Sequence, residues 1–447
     1  MNTKTEKIDM LNGPLAKKIF LFTLPIALSS MLQQLFNAAD TSIVGYFDGA
    51  NALAGVGTNG EIIALIVTLS SGLSIGVNIL IAQHIGQKKT ESIPEIIKTA
   101  ILLAVFIGIL GLIIGECITM PLLRLIRTPE DVITQAAIYL RIYLIGYPFL
   151  LLYDFASAVL RARGDSRYPF LVLTFSGLIN VVLNIFFVII LRIGVAGVAI
   201  ATVLSTLLSA ILVLKKLWKD DSVFHLSVLP IHINASHAGQ ILKTGIPSAI
   251  QGAVFCFANI FVQASVNRFG AVAIAGSTIA MNFEYFSYYI ITAFGQTATT
   301  FVSQNYAAGQ TKRCRHILWL CIAFSMLASL ITIEPVILFR DTFCGLFSSE
   351  QAVITNAGIR IMCILLYEPI CNLYEIPAGV LRGCGHASIP AIMTILGTCL
   401  FRITWICTVF EQKKRLEVLY AAFPISWVLT IILIVGSYLM IKPLSKK

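Results

Sequence analysis

Four side chains with oxygen atoms occur at one depth in three apolar stretches of this 447-residue chain. Asp40 lies two helical turns before the end of the first stretch, and Asn184 lies two turns before the end of the fifth. Asn180 precedes Asn184 by one turn, and Thr202 lies about two turns into the sixth stretch. At 1.5 Å per residue, Asp40, Asn184 and Thr202 would lie about 10–12 Å from the same ends of their helices. The pattern predicts one site built from three helices.

A carboxylate among amide and hydroxyl oxygens can bind a proton or a hard cation such as Na⁺. In an apolar medium an unpaired carboxylate costs several kcal/mol, which favours a functional role for Asp40. The alternative is a hydrogen-bonded polar knot that holds the three helices together. Glu284, in MNFEYFSYY, is a second mid-helix carboxylate, and Gln34 and Asn37 add polar groups to the first stretch. These three are candidates for binding a substrate or a proton.

The composition places these residues in a membrane. Hydrophobic residues make up 57% of the chain, charged residues make up 12%, and the mean hydropathy is +0.87. Long apolar runs without strand alternation predict an all-α polytopic protein rather than a barrel. We expect twelve membrane-spanning helices, at about 17–47, 52–82, 94–119, 132–159, 168–191, 194–214, 240–267, 272–304, 316–339, 353–380, 388–410 and 417–441.

The basic residues predict the orientation. Most of the 32 Lys and Arg residues fall at the ends of the spans that share a side with the N-terminus, and KKR at 413–415 is the exception. The positive-inside rule then places both termini in the cytoplasm of a plasma (inner) membrane protein. This topology also explains the net charge of +10, which argues against nucleic-acid binding. No cleavable signal peptide is evident at the N-terminus.

One sequence motif occurs twice. The segment LRARGDSRYP at 160–169 resembles LRGCGHASIP at 381–390, which lies 221 positions further along the chain. Six spans separate the copies, so the halves enter the membrane from the same side and form two parallel six-helix repeats. We expect an N-terminal lobe at 1–214, a cytoplasmic linker at 215–240 and a C-terminal lobe at 241–447. The three histidines of the linker show no close spacing for a metal.

The repeated turns have a structural and a functional interpretation. Gly164 and Gly385 suit the left-handed residue that closes a helix, and a proline follows each in the first turn of the next helix. Before each of these glycines, a carboxylate and an arginine lie seven residues, or two turns, apart on one helix face. These charges predict either a cytoplasmic gate or simple anchoring of the helix ends, and the residues are Asp154, Arg161, Glu375 and Arg382.

The second half lacks the oxygen cluster. At the positions that match Asp40, Asn180, Asn184 and Thr202, the sequence has Val262, Phe401, Trp405 and Phe423. The first half therefore looks like the ion-coupling half. The aromatic rings of the second half could hold a large apolar cation by cation–π attraction, although aromatic residues in helices more often serve packing.

Three motifs resemble one family: LPIALSSMLQQLFNAADTSIVGYF at 24–47, GLINVVLN at 177–184 and the repeated turn. Over nearly the whole chain they are similar to the MATE family of multidrug and toxic compound extrusion antiporters. The resemblance implies two six-helix lobes in a V that export organic, mainly cationic and amphipathic compounds against inward H⁺ or Na⁺ by alternating access. Asp40, Asn180, Asn184 and Thr202 stand where members place the cation site of the N-terminal lobe.

The second half departs from NorM-like members, which have acidic residues in helices 7 and 10. This chain has none in helix 7, and in helix 10 it has Cys371 at the position of the family's acidic residue, ten residues before LR. The cation site of the N-terminal lobe makes the chain more similar to DinF-like members. A flippase for a lipid-linked substrate is the alternative within the superfamily, and a channel also remains open. Without H-E-x-x-H, Walker A or G-x-S-x-G, we expect no enzyme and no cofactor. The expected partners are the bilayer and small organic substrates, and the expected state is a monomer.

Overall fold

The computed structural model describes residues 7–47, 55–126, 128–227, 229 and 231–445, and the regular structure in these ranges is helical. The helices before the linker have the bounds α1 Leu15–Phe47, α2 Gly60–Gly86, α3 Thr90–Leu125, α4 Glu130–Ile145, α5 Tyr147–Ala162, α6 Arg167–Ile190 and α7 Gly194–Trp218. A bend of 43° separates α4 from α5, which together form one broken span.

The helices after the linker follow the same order. Their bounds are α8 Ala235–Asn267, α9 Ala271–Ala307, α10 Thr311–Leu338, α11 Arg340–Gly345, α12 Gln351–Gly383, α13 Ser388–Lys413 and α14 Leu416–Ile441. The short helix α11 lies between two spans. A 3₁₀ segment interrupts α12, and two π segments interrupt α13.

Ten helices of the described ranges are long and apolar enough to cross a membrane, and the bent pair α4–α5 makes an eleventh. The expected number of twelve exceeds this count by one segment, α9. With 37 residues α9 is long enough. Its second half, however, contains a series of Thr, Ser, Gln and Asn residues, and these polar residue types lower its hydropathy. Their side chains are buried inside the protein. The protein is therefore a multi-pass membrane protein with one polar helix.

The chain divides into two compact units that exchange parts of their first helices. Unit 1 comprises residues 1–9 and 28–249, and unit 2 comprises 10–27 and 250–447. Both exchange points follow a proline by two residues, Pro25 in α1 and Pro247 in α8. Proline removes a backbone hydrogen bond and permits a bend at these points. The contiguous lobes at 1–214 and 241–447 stay a prediction.

Equivalent contacts recur within each unit. Ser176 and Ser209 share a hydroxyl hydrogen bond of 2.6 Å between α6 and α7, and Thr398 and Thr430 share one of 2.8 Å between α13 and α14. A second pair of crossings is also repeated. A Cβ on Gly76 would lie 2.1 Å from the Ile241 carbonyl oxygen of α8 in unit 1, and the hydroxyls of Thr23 and Thr297 meet at 2.8 Å in unit 2. The same packing positions therefore recur inside each unit.

The repeated turns adopt the predicted conformation. Gly164 and Gly385 have φ values of +96° and +90°, in the left-handed region that favours glycine. At Gly164 there is a further reason for glycine, because a Cβ would lie 2.3 Å from the carbonyl oxygen of Ile8. The amide of Ile8 also donates to the Gly164 carbonyl at 3.1 Å. This turn therefore fastens the N-terminal segment of unit 1.

The linker is shorter than expected, since α7 continues to Trp218 and α8 begins at Ala235. Arg163, from the first repeated turn, forms a buried ion pair with Asp220 of the linker. Burial acts to raise the pKa of Asp220, but hydrogen bonds from Ser222 and Arg163 outweigh it and lower the pKa to about 2. A depressed carboxylate pKa stabilises the fold above the unfolded value and loses this effect only as the pH falls towards 2. The ion pair is therefore present at every physiological pH.

The charge distribution predicts that the linker is cytoplasmic. In a background without the exposed Cys117 and Cys407, we expect a membrane-impermeant maleimide to label Lys219→Cys only from the cytoplasmic side. Lys413→Cys, which is equally exposed, is the matched position and should be labelled only from the outside. Labelling of Lys219→Cys in intact cells would overturn the predicted orientation.

Candidate functional site

The four oxygen-bearing residues of the first half meet in unit 1. The Asn184 amide donates to the Asp40 carboxylate and, at 3.2 Å, to the Asn180 oxygen. The Thr202 hydroxyl lies 3.4 Å from both the Asp40 carboxylate and the Asn180 amide. Asp40, Asn180 and Asn184 are buried. Depth counted along the sequence thus agrees with contact in space.

Close packing of two helices brings the cluster together. A Cβ on Gly177 of α6 would lie 1.9 Å from the Phe36 ring of α1, so only glycine admits this ring. Phe36 lies one turn before Asp40, and Gly177 lies two turns before Asn184. The hydroxyl bridge from Ser176 then aligns α7 with α6. Each polar residue is therefore positioned by a contact further along its own helix.

An apolar layer covers one side of the site. Val44, Val188 and Val198 each lie one helical turn from a polar member, and they are buried in one cluster with Tyr139. This layer keeps bulk water from that side of the carboxylate. In this low-polarity environment the charge of Asp40 is costly unless a proton or a cation neutralises it.

The chemistry of the site suits a monovalent cation or a proton. Asp40 is its one carboxylate, and its other members offer amide and hydroxyl oxygens. The Asn184 oxygen is buried and has no hydrogen-bond partner among the described residues. No group of three His, Cys, Asp or Glu residues in the described ranges could hold a metal ion. A carboxylate with neutral oxygens fits H⁺ or Na⁺ better than a transition metal.

Gln34 and Asn37 lie apart from this cluster. With Thr41, Ser42 and neighbouring residues they line an open groove along one face of α1. Asn37 is exposed, and its backbone carbonyl accepts a hydrogen bond from Thr41. The structure therefore does not join them to the Asp40 site, and a role in substrate binding stays a prediction.

The four predicted gate residues differ between the halves. In unit 2, Arg382 donates to Glu375 at 3.2 Å and to Gln251 at 3.3 Å. In unit 1, Asp154 instead accepts a hydrogen bond of 2.6 Å from Ser70, and Arg161 interacts with it only at longer range. The same seven-residue spacing therefore gives a direct ion pair in unit 2 and none in unit 1.

Glu284 is not a free carboxylate. It forms a buried bidentate ion pair with Arg360, at 2.7 and 2.8 Å, and Arg360 also donates to Ser277. The Tyr420 ring lies 5.3 Å from the same guanidinium. A carboxylate held this way has a structural partner, and a role for Glu284 towards a substrate or a proton stays a prediction.

The counterpart of the Asp40 site in unit 2 contains an arginine that the sequence comparison misplaced. From each hydroxyl bridge, four residues along the helix lead to Asn180 in unit 1 and to Arg402 in unit 2. Asn180 contacts Thr202, and Arg402 lies 4.0 Å from the ring centre of Phe423. These contacts make Arg402, rather than Phe401, the structural match of Asn180.

A π segment at Ile395–Leu400 explains the one-residue difference. Such a segment accommodates an extra residue within a helix, so a constant sequence shift points to the wrong face beyond it. Trp405 is accordingly not the match of Asn184, and its indole donates to the Val418 carbonyl at 2.8 Å. The surface that the sequence predicts to be aromatic therefore also contains the buried positive charge of Arg402.

A pocket in unit 2 opens at this position. It has an empty volume of about 690 Å³ and is lined by four charged residues, Glu284, Arg360, Glu368 and Arg402. Sequence reasoning singled out Glu284 alone. Three further charges within apolar spans were the available signal, since such residues rarely lie in a membrane without a role.

The family is shown by a match in each half of the chain. The MatE family model matches residues 25–186 and again 247–406, so each repeat is matched once. The chain belongs to the MatE family. These two matches also agree with the duplication seen in the packing.

Known MatE relatives are similar over almost their whole length. The probable multidrug resistance protein YoeA of Bacillus subtilis is 25% identical over 94% of this chain and 93% of its own. The probable multidrug resistance protein NorM of Thermotoga maritima is 26% identical over 87% of this chain and 84% of its own. A MOP superfamily transporter from Pyrococcus furiosus has a TM-score of 0.92 at 20% identity, with full coverage of both chains, which shows a shared fold. MatE proteins are transporters, and this chain is therefore not an enzyme.

The buried ion pair should matter for the stability of this MatE protein. Glu284→Gln leaves Arg360 charged and buried, a change that typically costs about 3–5 kcal/mol. We expect a clear fall in the midpoint of thermal unfolding, measured on the purified protein in detergent. Glu411→Gln removes the carboxylate of an exposed pair with Arg268 and should change the midpoint little. Equal midpoints for the two variants would contradict a stabilising role for the buried pair.

Proposed function

We propose that this MatE protein is a multidrug efflux antiporter that exports small organic compounds in exchange for inward H⁺ or Na⁺. The observation that supports it is the Asp40 cluster, a buried carboxylate held by neutral amide and hydroxyl groups. The relatives named for multidrug resistance support the same transport class. The coupling ion remains H⁺ or Na⁺ on this proposal, since the oxygen set accepts either.

The proposed mechanism is alternating access. A coupling ion can drive transport only if it binds two facing states with different affinity. Asp40 would hold its ion while substrate leaves and release it to the cytoplasm before the next substrate binds. Three neutral groups would surround the carboxylate both with and without its ion, because none of them changes its own charge. They are the amides of Asn180 and Asn184 and the hydroxyl of Thr202.

The remaining assignments follow from the same features. We infer a plasma membrane protein with both termini cytoplasmic that functions as a monomer. The single polar cluster in unit 1 and the absence of an acidic residue at Cys371 support a DinF-like rather than a NorM-like member. The substrates would be amphipathic, and their charge is set by the pocket that receives them.

The test of the coupling site is Asp40→Asn, which preserves the size of the side chain and removes its charge. We expect loss of gradient-driven efflux, because the variant cannot bind a proton or cation in exchange. Folding and membrane insertion should be retained. The measurement is uphill transport of a dye in proteoliposomes under separate H⁺ and Na⁺ gradients, which also identifies the ion.

Matched variants complete this experiment. Asp341→Asn changes an exposed carboxylate and should leave coupling intact. Asn184→Ala and Thr202→Ala each remove one neutral group and should weaken coupling less than Asp40→Asn. Near wild-type uphill transport by Asp40→Asn would falsify the site as the coupling centre.

The gate hypothesis is tested at the repeated turns. We expect the double variant Arg161→Ala, Arg382→Ala to shift the balance of the two facing states, with the larger part due to Arg382 because it forms the buried ion pair. Cysteine accessibility together with the transport rate measures the shift. Arg167→Ala, an exposed neighbour on the same side, is the control. A double variant that behaves like the wild type would leave these arginines only an anchoring role.

A further inference from the structure

The pocket of unit 2 is the repeat counterpart of the Asp40 site with its charges changed. Val262 stands at the position of Asp40, Arg402 at that of Asn180, and Phe423 at that of Thr202. All three residues line the pocket. A site that offers oxygen acceptors to a cation in unit 1 has thus become, in unit 2, a site where a guanidinium offers donors.

Arg402 is buried without an anionic partner. Arg402 is only 1% exposed, and its Nε donates a hydrogen bond to the Ser426 hydroxyl at 3.1 Å. Its Nη1 has no hydrogen-bond partner, and no carboxylate of the described ranges lies within 4.0 Å of it. A guanidinium has five N–H donors, and leaving them unused in an apolar setting is costly.

Aromatic rings stabilise this charge only in part. The Phe423 centroid lies 4.0 Å from the guanidinium carbon, and those of Phe255 and Trp427 lie at 5.6 and 5.9 Å. Cation–π attraction offsets some of the lost hydration. A ring face is a weak acceptor, however, so strong acceptors for the N–H groups must come from elsewhere. The rings also offer a wall for an aromatic ligand.

A second charge of the pocket is also without an ion pair. Glu368 is 4% exposed, forms no salt bridge with a described residue, and has one carboxylate oxygen without a hydrogen bond. Because Glu284 is already paired with Arg360, Arg402 and Glu368 are the two charges left for a ligand. A purely cationic ligand would meet Arg402 without neutralising it.

We propose that Arg402 binds the anionic group, a carboxylate or a phosphate, of an aromatic substrate in this pocket. The planar guanidinium matches both groups with paired hydrogen bonds. The pocket combines this guanidinium with aromatic rings and a few polar side chains, a lining typical of small-molecule sites. As a statement about substrate class this rests on the proposed efflux function, and it replaces a purely cationic substrate with one that bears an anionic group.

The test is a matched series of naphthalene ligands, titrated by calorimetry into the purified full-length protein. Naphthoate and naphthyl phosphate carry the two anionic groups, naphthylmethanol is neutral, and naphthylmethylammonium is cationic. We expect one or both anions to bind at least about tenfold more tightly than the neutral ligand, a difference of 1.4 kcal/mol. The ratio of the two anions identifies the preferred group. Equal or tighter binding of the alcohol or the ammonium compound would overturn the proposal.

Variants assign the effect to Arg402. Arg402→Met has similar volume and should lose the preference for anions, and Arg402→Lys should keep a reduced preference because it retains the charge without the planar fork. Arg268→Met removes the same charge from the exposed pair with Glu411 and should bind like the wild type. If Arg402→Met does not fold, the ligand series on the wild type and on Arg402→Lys still decides. Anion binding that survives in folded Arg402→Met would refute the assignment.

The binding test is independent of coupled transport. No ion gradient is present in calorimetry, so anion binding by the wild type is measured whether or not the protein couples an ion to transport. Failure of anion binding with intact coupled efflux would therefore refute this inference alone. Intact anion binding without gradient-driven efflux in the wild type would refute the proposed function alone.

Discussion

A charge inside a membrane-spanning helix has no water to stabilise it, and the organisation of this protein depends on how each such charge is stabilised. Arg360 and Glu284 neutralise each other through two hydrogen bonds. Arg382 and Glu375 do so at the repeated turn. Asp40 receives only neutral donors, and Arg402 receives aromatic faces and one hydroxyl. The first two charges each have a partner of opposite sign, whereas the last two leave a charge that an ion or a ligand can satisfy.

The duplicated halves keep their packing and change their chemistry. The hydroxyl bridges Ser176–Ser209 and Thr398–Thr430 occupy matching positions and align matching helices. One turn further along the same helices, the amide of Asn180 is replaced by the guanidinium of Arg402. Helix packing requires complementary shape and satisfied hydroxyls, which both copies can retain. A binding site requires only a few side chains to differ, so it can diverge on an unchanged scaffold.

Sequence reasoning succeeded where a regular helix transmits position. A constant rise per residue predicts one depth for Asp40, Asn184 and Thr202, and the structure brings their side chains into contact. It failed where regularity is broken. The π segment at Ile395–Leu400 moved Arg402 onto the face assigned to Phe401.

Partners distant in sequence were equally hidden. Glu284 and Arg360 are 76 residues apart, and no spacing rule within one helix links them. In α9 the buried Thr, Ser, Gln and Asn side chains form contacts inside unit 2, so hydropathy alone understates its place in the fold. Residues at one depth on regular helices were therefore predictable, whereas the partner of an individual charge such as Glu284 required the structure.

The separation of the two incomplete sites has a consequence for coupling. The Asp40 cluster and the Arg402 pocket share no residue, so an ion and a substrate need not compete for the same atoms. Each ligand can then affect the other through a conformational equilibrium that both bias, and the two effects must be equal in free energy. A substrate with an anionic group would neutralise Arg402 while leaving Asp40 free to exchange its own ion. On the proposed function, one repeated packing plan would thus supply an ion site in one copy and, with its charge changed, a substrate site in the other.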